Sequence, residues 1–407
     1  MDLKVFLRLK STDGQQALQA ARQLNPKEVD FLRHYSNLCR KYPEDLARAA
    51  LEIAILRERA SEKFPFAQGL YFTREALEQA SAWEVSTYRV GRYRPYPRLV
   101  DLGCSVGGDT LALAGIAPVL GIDIDPLRLA MARANLDARW SGNPSCLVRA
   151  DLKSSLPFDL TPEMGLFFDP ARRSRGRRIY SVKDYQPPLE VALGWLGKTQ
   201  ALGIKISPGV NLDELSGYDA EVEFISLRGE LKEAVLWFGA LKSAERRATV
   251  LPGPYSMTGE GPGTAGNDPR PGVSDLPLSE PLAILYEPDP AVLRAGLVAN
   301  LGVELEASQL DPDIAYLTAE KYTPTPFARG WEVEDWFPFQ LKRLRSYLRE
   351  RGVGRLTVKK RGSPLQPEEL IHSLRLSGEQ ERLLFLTHLR GRPIAVVARV
   401  EPLSVSL

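Results

Sequence analysis

Between Pro97 and Leu241, short apolar runs alternate with stretches of helical periodicity. The runs at 99–102, 118–124, 145–151, 165–169, 201–207, 221–227 and 234–240 predict seven strands. Strands that alternate with helices in this way form a parallel sheet with crossover helices on its faces. Several of the runs end in an acid or a small polar residue. In open α/β sheets ligands sit beyond the carboxyl ends of the strands, so those terminal residues are where chemistry is expected.

The flanking patterns differ. Residues 14–63 are rich in Ala, Leu, Glu, Arg and Gln, with helix starts at Asn25-Pro26 and Pro43, and three amphipathic helices are expected. Leu46, Ala49, Ala50, Ile53 and Ala54 recur at helical spacing and mark one buried face. Beyond the sheet, 251–281 is dense in Gly and Pro and reads as a linker or a long surface loop. Helix-like patterns at 289–301 and 336–351, with strand-like ones at 355–359, 383–388 and 394–400, predict a second, smaller α/β domain. The expected organisation is an N-terminal helical segment at 1–68, the main sheet domain at 69–250, the linker at 251–281 and the second domain at 282–407.

A chain of 407 residues exceeds what one hydrophobic core usually supports, in keeping with that division. With 44% apolar and 26% charged residues, the composition is that of a folded protein. Cys39, Cys104 and Cys146 are too few and too scattered for a disulfide framework or a thiolate metal site, so a reducing compartment and no metal are expected. The longest run without charge or strong polarity is twelve residues, 111–122, well short of the roughly 20 that cross a bilayer. Lys4, Arg8 and Lys10 break up the apolar residues at the start of the chain, unlike a signal peptide, and a cytoplasmic location is expected.

The candidate chemistry starts at LVDLGCSVGGDT, residues 99–110, where a strand ends in Asp101 and a turn containing Gly103, Gly107 and Gly108 leads into a helix. Glycines there let the backbone approach a ligand closely. The register Gly103, Ser105, Gly108 fails the G-x-G-x-x-G pattern of dinucleotide sites at its middle position. The next strand ends in Asp123, 20 residues after Gly103, placed to accept from both hydroxyls of a ribose. Asp125 then caps a helix with Pro126 at its first position, and a third strand ends in Asp151 at the same edge.

The D-x-G-x-x-x-G-G motif at 101–108, the GIDIDP strand end at 121–126 and the AD strand end at 150–151 resemble the class I S-adenosylmethionine-dependent methyltransferases. The resemblance implies a Rossmann-like sheet of seven strands, the last antiparallel, and S-adenosylmethionine as cofactor. It also implies that Gly103, Ser105 and Gly107 line the methionine and sulfonium end and that Asp101 lies near the amino group. Asp123, with Ile124 beside it, would hold the ribose, and Asp151 with Leu152 would border the adenine. Ser105 stands where many members have glycine.

The fourth strand delivers FFDPAR, residues 167–172. In amino-methylating members the corresponding place reads Asp or Asn, two prolines and an aromatic residue. Here Asp169 and Pro170 match, while Ala171 and Arg172 replace the second proline and the ring, which argues against adenine N6 methylation. No cysteine lies near FFDPAR or the following IKISPG, so a thiolate mechanism is unsupported. Direct in-line transfer remains, with Asp169 orienting the nucleophile. Arg172, Arg173, Arg175, Arg177 and Arg178 follow without an intervening acid and suit a phosphate-bearing substrate, Arg172 and Arg173 above all; charge runs are also often plain solvated loops.

Residues 341–361 hold nine basic residues against one acid, Glu350, on a chain of net charge +2. Such a patch, with Lys359, Lys360 and Arg361 at its end, suits a nucleic-acid backbone. EPDPAVLRAGL, DPDIAYLT, TPFARGWEV and GRLTVKKRG resemble the THUMP-like domain that follows the methyltransferase domain in one group of bacterial proteins, in which FFDPARR is also the form of the reaction-site strand. The leading expectation is methylation of RNA, tRNA or rRNA. Two alternatives stay open: a methyltransferase of small molecules or proteins, and a non-catalytic RNA-binding protein.

Overall fold

The computed structural model describes residues 1–139, 142–154, 156–170, 173–174, 177–178, 181–260 and 276–403. By its internal contacts the chain divides into two units, 1–221 with 233–243, and 222–232 with 244–407.

The first unit begins with four helices, α1 (Leu3–Leu9), α2 (Thr12–Gln23), α3 (Phe31–Leu38) and α4 (Glu44–Ala60). Helix α4 packs against the other three and buries Ala47, Leu51, Ile55 and Leu56 as well as the expected face, so it is a central helix. Two more helices, α5 (Arg74–Gln79) and α6 (Trp83–Val90), precede the sheet.

All seven expected strands are present: β1 (Arg98–Leu102), β2 (Val119–Asp123), β3 (Ser145–Arg149), β4 (Met164–Phe168), β5 (Ala201–Ile206), β6 (Ala220–Leu227) and β7 (Glu230–Gly239). Two further strands, β8 (Arg246–Leu251) and β9 (Tyr255–Gly259), extend the sheet to the order β9-β8-β6-β7-β5-β4-β1-β2-β3. The stretch expected to be a linker from residue 251 thus opens with a strand, because Tyr255–Gly259 pairs antiparallel with β8; 261–275 lie outside the described residues. Strands β1 to β5 pair in parallel, and β7 runs antiparallel to β5. Helices α7 (Gly108–Ala114), α8 (Pro126–Ala138) and α9 (Leu189–Leu193) lie in the connections. Arg173–Ser174 and Arg177–Arg178 form a short antiparallel ladder after β4.

The order 3-2-1-4-5 puts the ends of β1, β2, β3, β4 and β5 along one edge, so residues far apart in sequence meet there. In-register pairing of Leu102 with Phe168 and of Phe168 with Ile204 brings the residues after β1 and β4 beside the last residues of β5.

The second unit carries a seven-stranded sheet built from β10 (Ile284–Pro288), β11 (Ser308–Asp311), β12 (Ile314–Ala319), β13 (Ala328–Pro338), β14 (Val353–Lys360), β15 (Gln380–Leu389) and β16 (Arg392–Ala398). Their order is β11-β12-β10-β13-β16-β15-β14, and only β14 and β15 pair in parallel. Helices α10 (Pro290–Ala295), α11 (Val298–Glu304), α12 (Leu341–Glu350) and α13 (Pro367–Leu374) complete it. The expected helix at 289–301 is two, divided at Gly296, whose φ of +73° ends α10. The expected helix at 336–351 starts late, at Leu341, because Trp336 and Phe337 belong to β13 and pack on opposite faces of the sheet. Leu384 and Leu386 of β15 enter one core, Leu383 and Phe385 the other, the alternation expected of a strand covered on both faces.

Candidate active site

Strand β1 delivers Asp101 into the interior, where its carboxyl accepts from Thr110 Oγ1 of α7 at 2.5 Å. Burial, reinforced by nearby Asp109, pushes this carboxyl up to about 8, against the pull of the Thr110 hydrogen bond. The turn that follows is left-handed at Gly103 (φ +82°), Ser105 (φ +49°) and Gly107 (φ +83°). Two positions need glycine on more than conformation. A Cβ at Gly103 would stand 2.7 Å from the Asp169 carbonyl oxygen, and one at Gly107 3.2 Å from Ala132 Cβ.

Asp123, at the end of β2, is 9% exposed, and each carboxylate oxygen accepts one backbone N–H at 2.9 Å, Oδ2 from Ser105 and Oδ1 from Asp125. Each oxygen keeps a further acceptor direction. Ile124 beside it is 57% exposed, an apolar side chain at a strand end. Asp125 caps α8, accepting from the N–H groups of Leu127 and Arg128. Asp151 is exposed and accepts from Lys153 N at 3.0 Å, while Leu152 is buried. The buried Ser105 Oγ has no hydrogen-bond partner among the described residues. An orphaned hydroxyl, a carboxylate with spare acceptor directions and an open apolar face fit a nucleoside cofactor with a polar tail.

Asn135, on the buried side of α8, fastens this corner: Oδ1 accepts from Tyr71 N at 2.7 Å, and Nδ2 donates to the carbonyls of Tyr71 and Val106 at 3.0 and 2.8 Å. The segment before β1 is thereby tied to the glycine turn.

At the end of β4, Asp169 N donates to Leu102 O at 3.1 Å, and Asp169 Oδ2 accepts from Lys205 Nζ at 2.8 Å. Pro170 is buried. Behind them Arg89 of α6 lies 2.5 Å from Asp109 Oδ1 and 2.7 Å from Glu233 Oε1, with its guanidinium 4.3 Å from the centre of the Phe167 ring. Ser86 Oγ donates to Asp109 at 2.5 Å, and Ser81 Oγ to Glu233 at 2.8 Å. Burial opposes the charge on Arg89, but Asp109, Glu233 and Asp169 outweigh it and hold the guanidinium above its usual range. Burial likewise opposes charge on Asp109, and Arg89 and Lys205 overcome it, keeping that carboxyl below its usual range.

The structure therefore brings together Asp101, Gly103, Ser105, Gly107, Asp123 and Asp169 at one edge, with Ile124, Asp151 and Leu152 along the neighbouring strand ends. Arg89, Lys205, Glu233 and Asn135 join them without a motif to mark them. Their only sequence signal is a charged or amide residue inside an otherwise apolar helix or strand. Ala171 and Arg172 lie outside the described residues, as do Arg175 and the side chains of Arg173, Arg177 and Arg178.

In the second unit, much of the basic segment has partners. Lys359 pairs with Glu287 and lies 4.8 Å from the centre of the Trp331 ring, and the Arg361 guanidinium is 5.1 Å from that of Tyr316. Arg345 and Arg349 of α12 donate to the carbonyls of Ser373 and Arg375 at 2.6 and 2.8 Å, at the end of α13. Lys360, exposed, donates to Gln366 Oε1 at 3.2 Å. Lys342 and Arg343 are also exposed. Among the described residues there is no group of three or more His, Cys, Asp or Glu placed to hold a metal, and no helix long and apolar enough to cross a membrane.

An uncharacterized S-adenosylmethionine-dependent methyltransferase of Mycobacterium tuberculosis (strain H37Rv) is 36% identical over 358 residues, which cover 85% of this chain and 94% of that protein. The chain belongs to the S-adenosylmethionine-dependent methyltransferases. The cofactor of this methyltransferase is S-adenosylmethionine. A family model described as THUMP domain-like matches residues 328–400, and one described as a domain of unknown function matches 2–60. The crystal structure of a candidate methyltransferase from Porphyromonas gingivalis W83 superposes with a TM-score of 0.77 at 24% identity, covering 98% of this chain and all of that one, a likeness of fold. The trimethylguanosine synthase of Schizosaccharomyces pombe is 32% identical over 98 residues, 22% of this chain and 40% of that protein.

Proposed function

We propose that this methyltransferase modifies RNA, with tRNA or rRNA as substrate, by direct in-line transfer. The observation that carries the reading is the end of β4. Asp169 sits against the glycine turn, and five arginines, 172, 173, 175, 177 and 178, follow it within nine residues. A carboxylate there accepts a hydrogen bond from the nucleophile and aligns it, while the arginines draw in a phosphate backbone. When bound, S-adenosylmethionine supplies the methyl group. For its binding we assign Gly103, Ser105 and Gly107 to the methionine end, Asp101 to the region of its amino group, Asp123 and Ile124 to the ribose side, and Asp151 with Leu152 to the adenine. Pro170, Arg172 and Arg173 are the proposed substrate contacts beside Asp169, and Lys359, Lys360 and Arg361 those of the THUMP-like domain. Support for a nucleic-acid substrate comes from the surplus of basic residues at 341–361, the THUMP-like match and the guanosine-modifying relative named above.

The test is mass spectrometry of nucleosides from total RNA of cells with and without the gene. Loss of one methylated nucleoside in the deletion, restored by the parent gene but not by Asp169→Asn, is the expected result. An unchanged nucleoside profile would overturn the RNA reading and favour a small-molecule or protein substrate.

A further inference from the structure

Lys205 places a charge inside a fully enclosed strand of the sheet. Every residue of β5 is buried, and Lys205 itself is 2% exposed. An ammonium group so placed is tolerated only against well-placed acceptors. Two are present: Nζ donates to Asp169 Oδ2 at 2.8 Å and to the Gln79 carbonyl, at the end of α5, at 3.3 Å. The sheet register dictates the meeting. Phe168 of β4 pairs with Ile204 of β5, so Asp169 and Lys205 are the next residues along two parallel neighbours.

The other charges at this corner are committed elsewhere. Arg89 takes Asp109 and Glu233 and lies over Phe167, so Lys205 is the cation hydrogen-bonded to Asp169 among the described residues. A carboxylate side chain rotates about two bonds unless a hydrogen-bond partner fixes it. A second anchor on a main-chain carbonyl makes Lys205 itself rigid.

We infer that Lys205 is a positioning residue: it holds Oδ2 of Asp169 in one orientation and leaves Oδ1 to accept from the nucleophile. The inference rests on the reading of Asp169 as the acid that orients the nucleophile. It narrows the substrate to a heteroatom nucleophile that still bears a hydrogen, because one free carboxylate oxygen recognises an N–H or O–H and gives nothing to a bare carbon or a ring nitrogen lone pair.

The test combines crystal structures of the parent, Lys205→Met and Lys205→Arg with methyl incorporation from labelled S-adenosylmethionine into total RNA of a strain lacking the gene. In Lys205→Met the Asp169 carboxylate is expected in more than one orientation, and kcat to fall about 100-fold. The KM for S-adenosylmethionine should stay within about twofold. Lys205→Arg should keep the single orientation and most of the turnover. Adding Lys205→Met to Asp169→Asn should cost nothing further, since the lysine acts through that carboxylate. A single, unchanged Asp169 orientation in Lys205→Met, or additive losses in the double variant, would overturn the inference. If Asp169→Asn turns over like the parent, the reading of Asp169 fails, and the carboxylate orientation in Lys205→Met still decides the part played by Lys205. Should Lys205→Met not fold, Lys205→Leu, which also lacks a donor, takes its place in the same measurements, with the same two outcomes.

Discussion

Arginine and lysine have acidic partners both around Asp169 and between Leu341 and Arg361, yet those of the first region pair inside the protein and those of the second toward its surface. Side chains of Arg89 and Lys205 are each 3% exposed, whereas Arg355, paired with Glu381, is 80% exposed. An exposed pair contributes about 0–1 kcal/mol, because water screens it and holding two long side chains costs entropy. Removing one partner of a buried pair costs about 3–5 kcal/mol, because the other charge is left without solvent. The first cluster is therefore part of the frame that holds the proposed reaction site. In the second, an exposed member such as Arg355 can give up its partner to a phosphate backbone at little cost, which suits binding that forms and breaks.

The sharpest way to break this contrast is Arg89→Met, which leaves buried Glu233 and half-buried Asp109 without their guanidinium. Chemical denaturation should show a loss of about 3–5 kcal/mol. A loss below 1 kcal/mol would place the cluster with the surface charges. Next in size, Asp169→Asn should lower kcat on RNA about 100-fold or more while calorimetry finds S-adenosylmethionine affinity unchanged.

Asp101 adds a dependence on pH. Its carboxyl, titrating near 3.8 in the unfolded chain, is pushed up to about 8 when folded, first by burial and then by Asp109. Between those values the folded chain keeps a proton that the unfolded chain has released. The contribution to stability is thus full below the lower value and is lost as pH rises through the upper. Parent stability should fall by about 1 kcal/mol more than that of Asp101→Asn between pH 6 and pH 7. Parallel curves for the two proteins would show that the carboxyl is already ionised. The smallest effect belongs to the surface: Lys360→Glu should weaken tRNA binding by less than about tenfold and reduce its salt slope by about one. Anisotropy titrations at two salt concentrations read both, and an unaltered slope would remove Lys360 from the interface.

The sheet was legible because buried parallel strands are continuous apolar runs, and because an acid that ends such a run stands out, as Asp101, Asp123 and Asp169 do. What the chain hides is partnership. Lys205 lies 36 residues from Asp169, and Ser81 lies 152 from Glu233, separations that no periodicity marks. A lysine in IKISPG looks like an interruption of a strand until the neighbouring strand is in place. The aromatic stretch at 336–339 fits a helix or a strand equally by composition, and only the two-sided core of β13 and β16 decides it. Residues 255–259 give no strand signal in the sequence because an edge strand next to a Gly- and Pro-rich stretch has little apolar pattern to show.

Gly103 sets a rule for anyone who would rebuild this enzyme. With room for no side-chain carbon beside the Asp169 carbonyl, the turn at 101–108 and the strand end at 165–170 are cut to one another's shape. A donor turn carrying alanine at that position would push Asp169 aside, and a donor strand end that bulged would close on the turn. Grafting a new substrate preference onto this scaffold should succeed only when both segments travel together, as a single cassette.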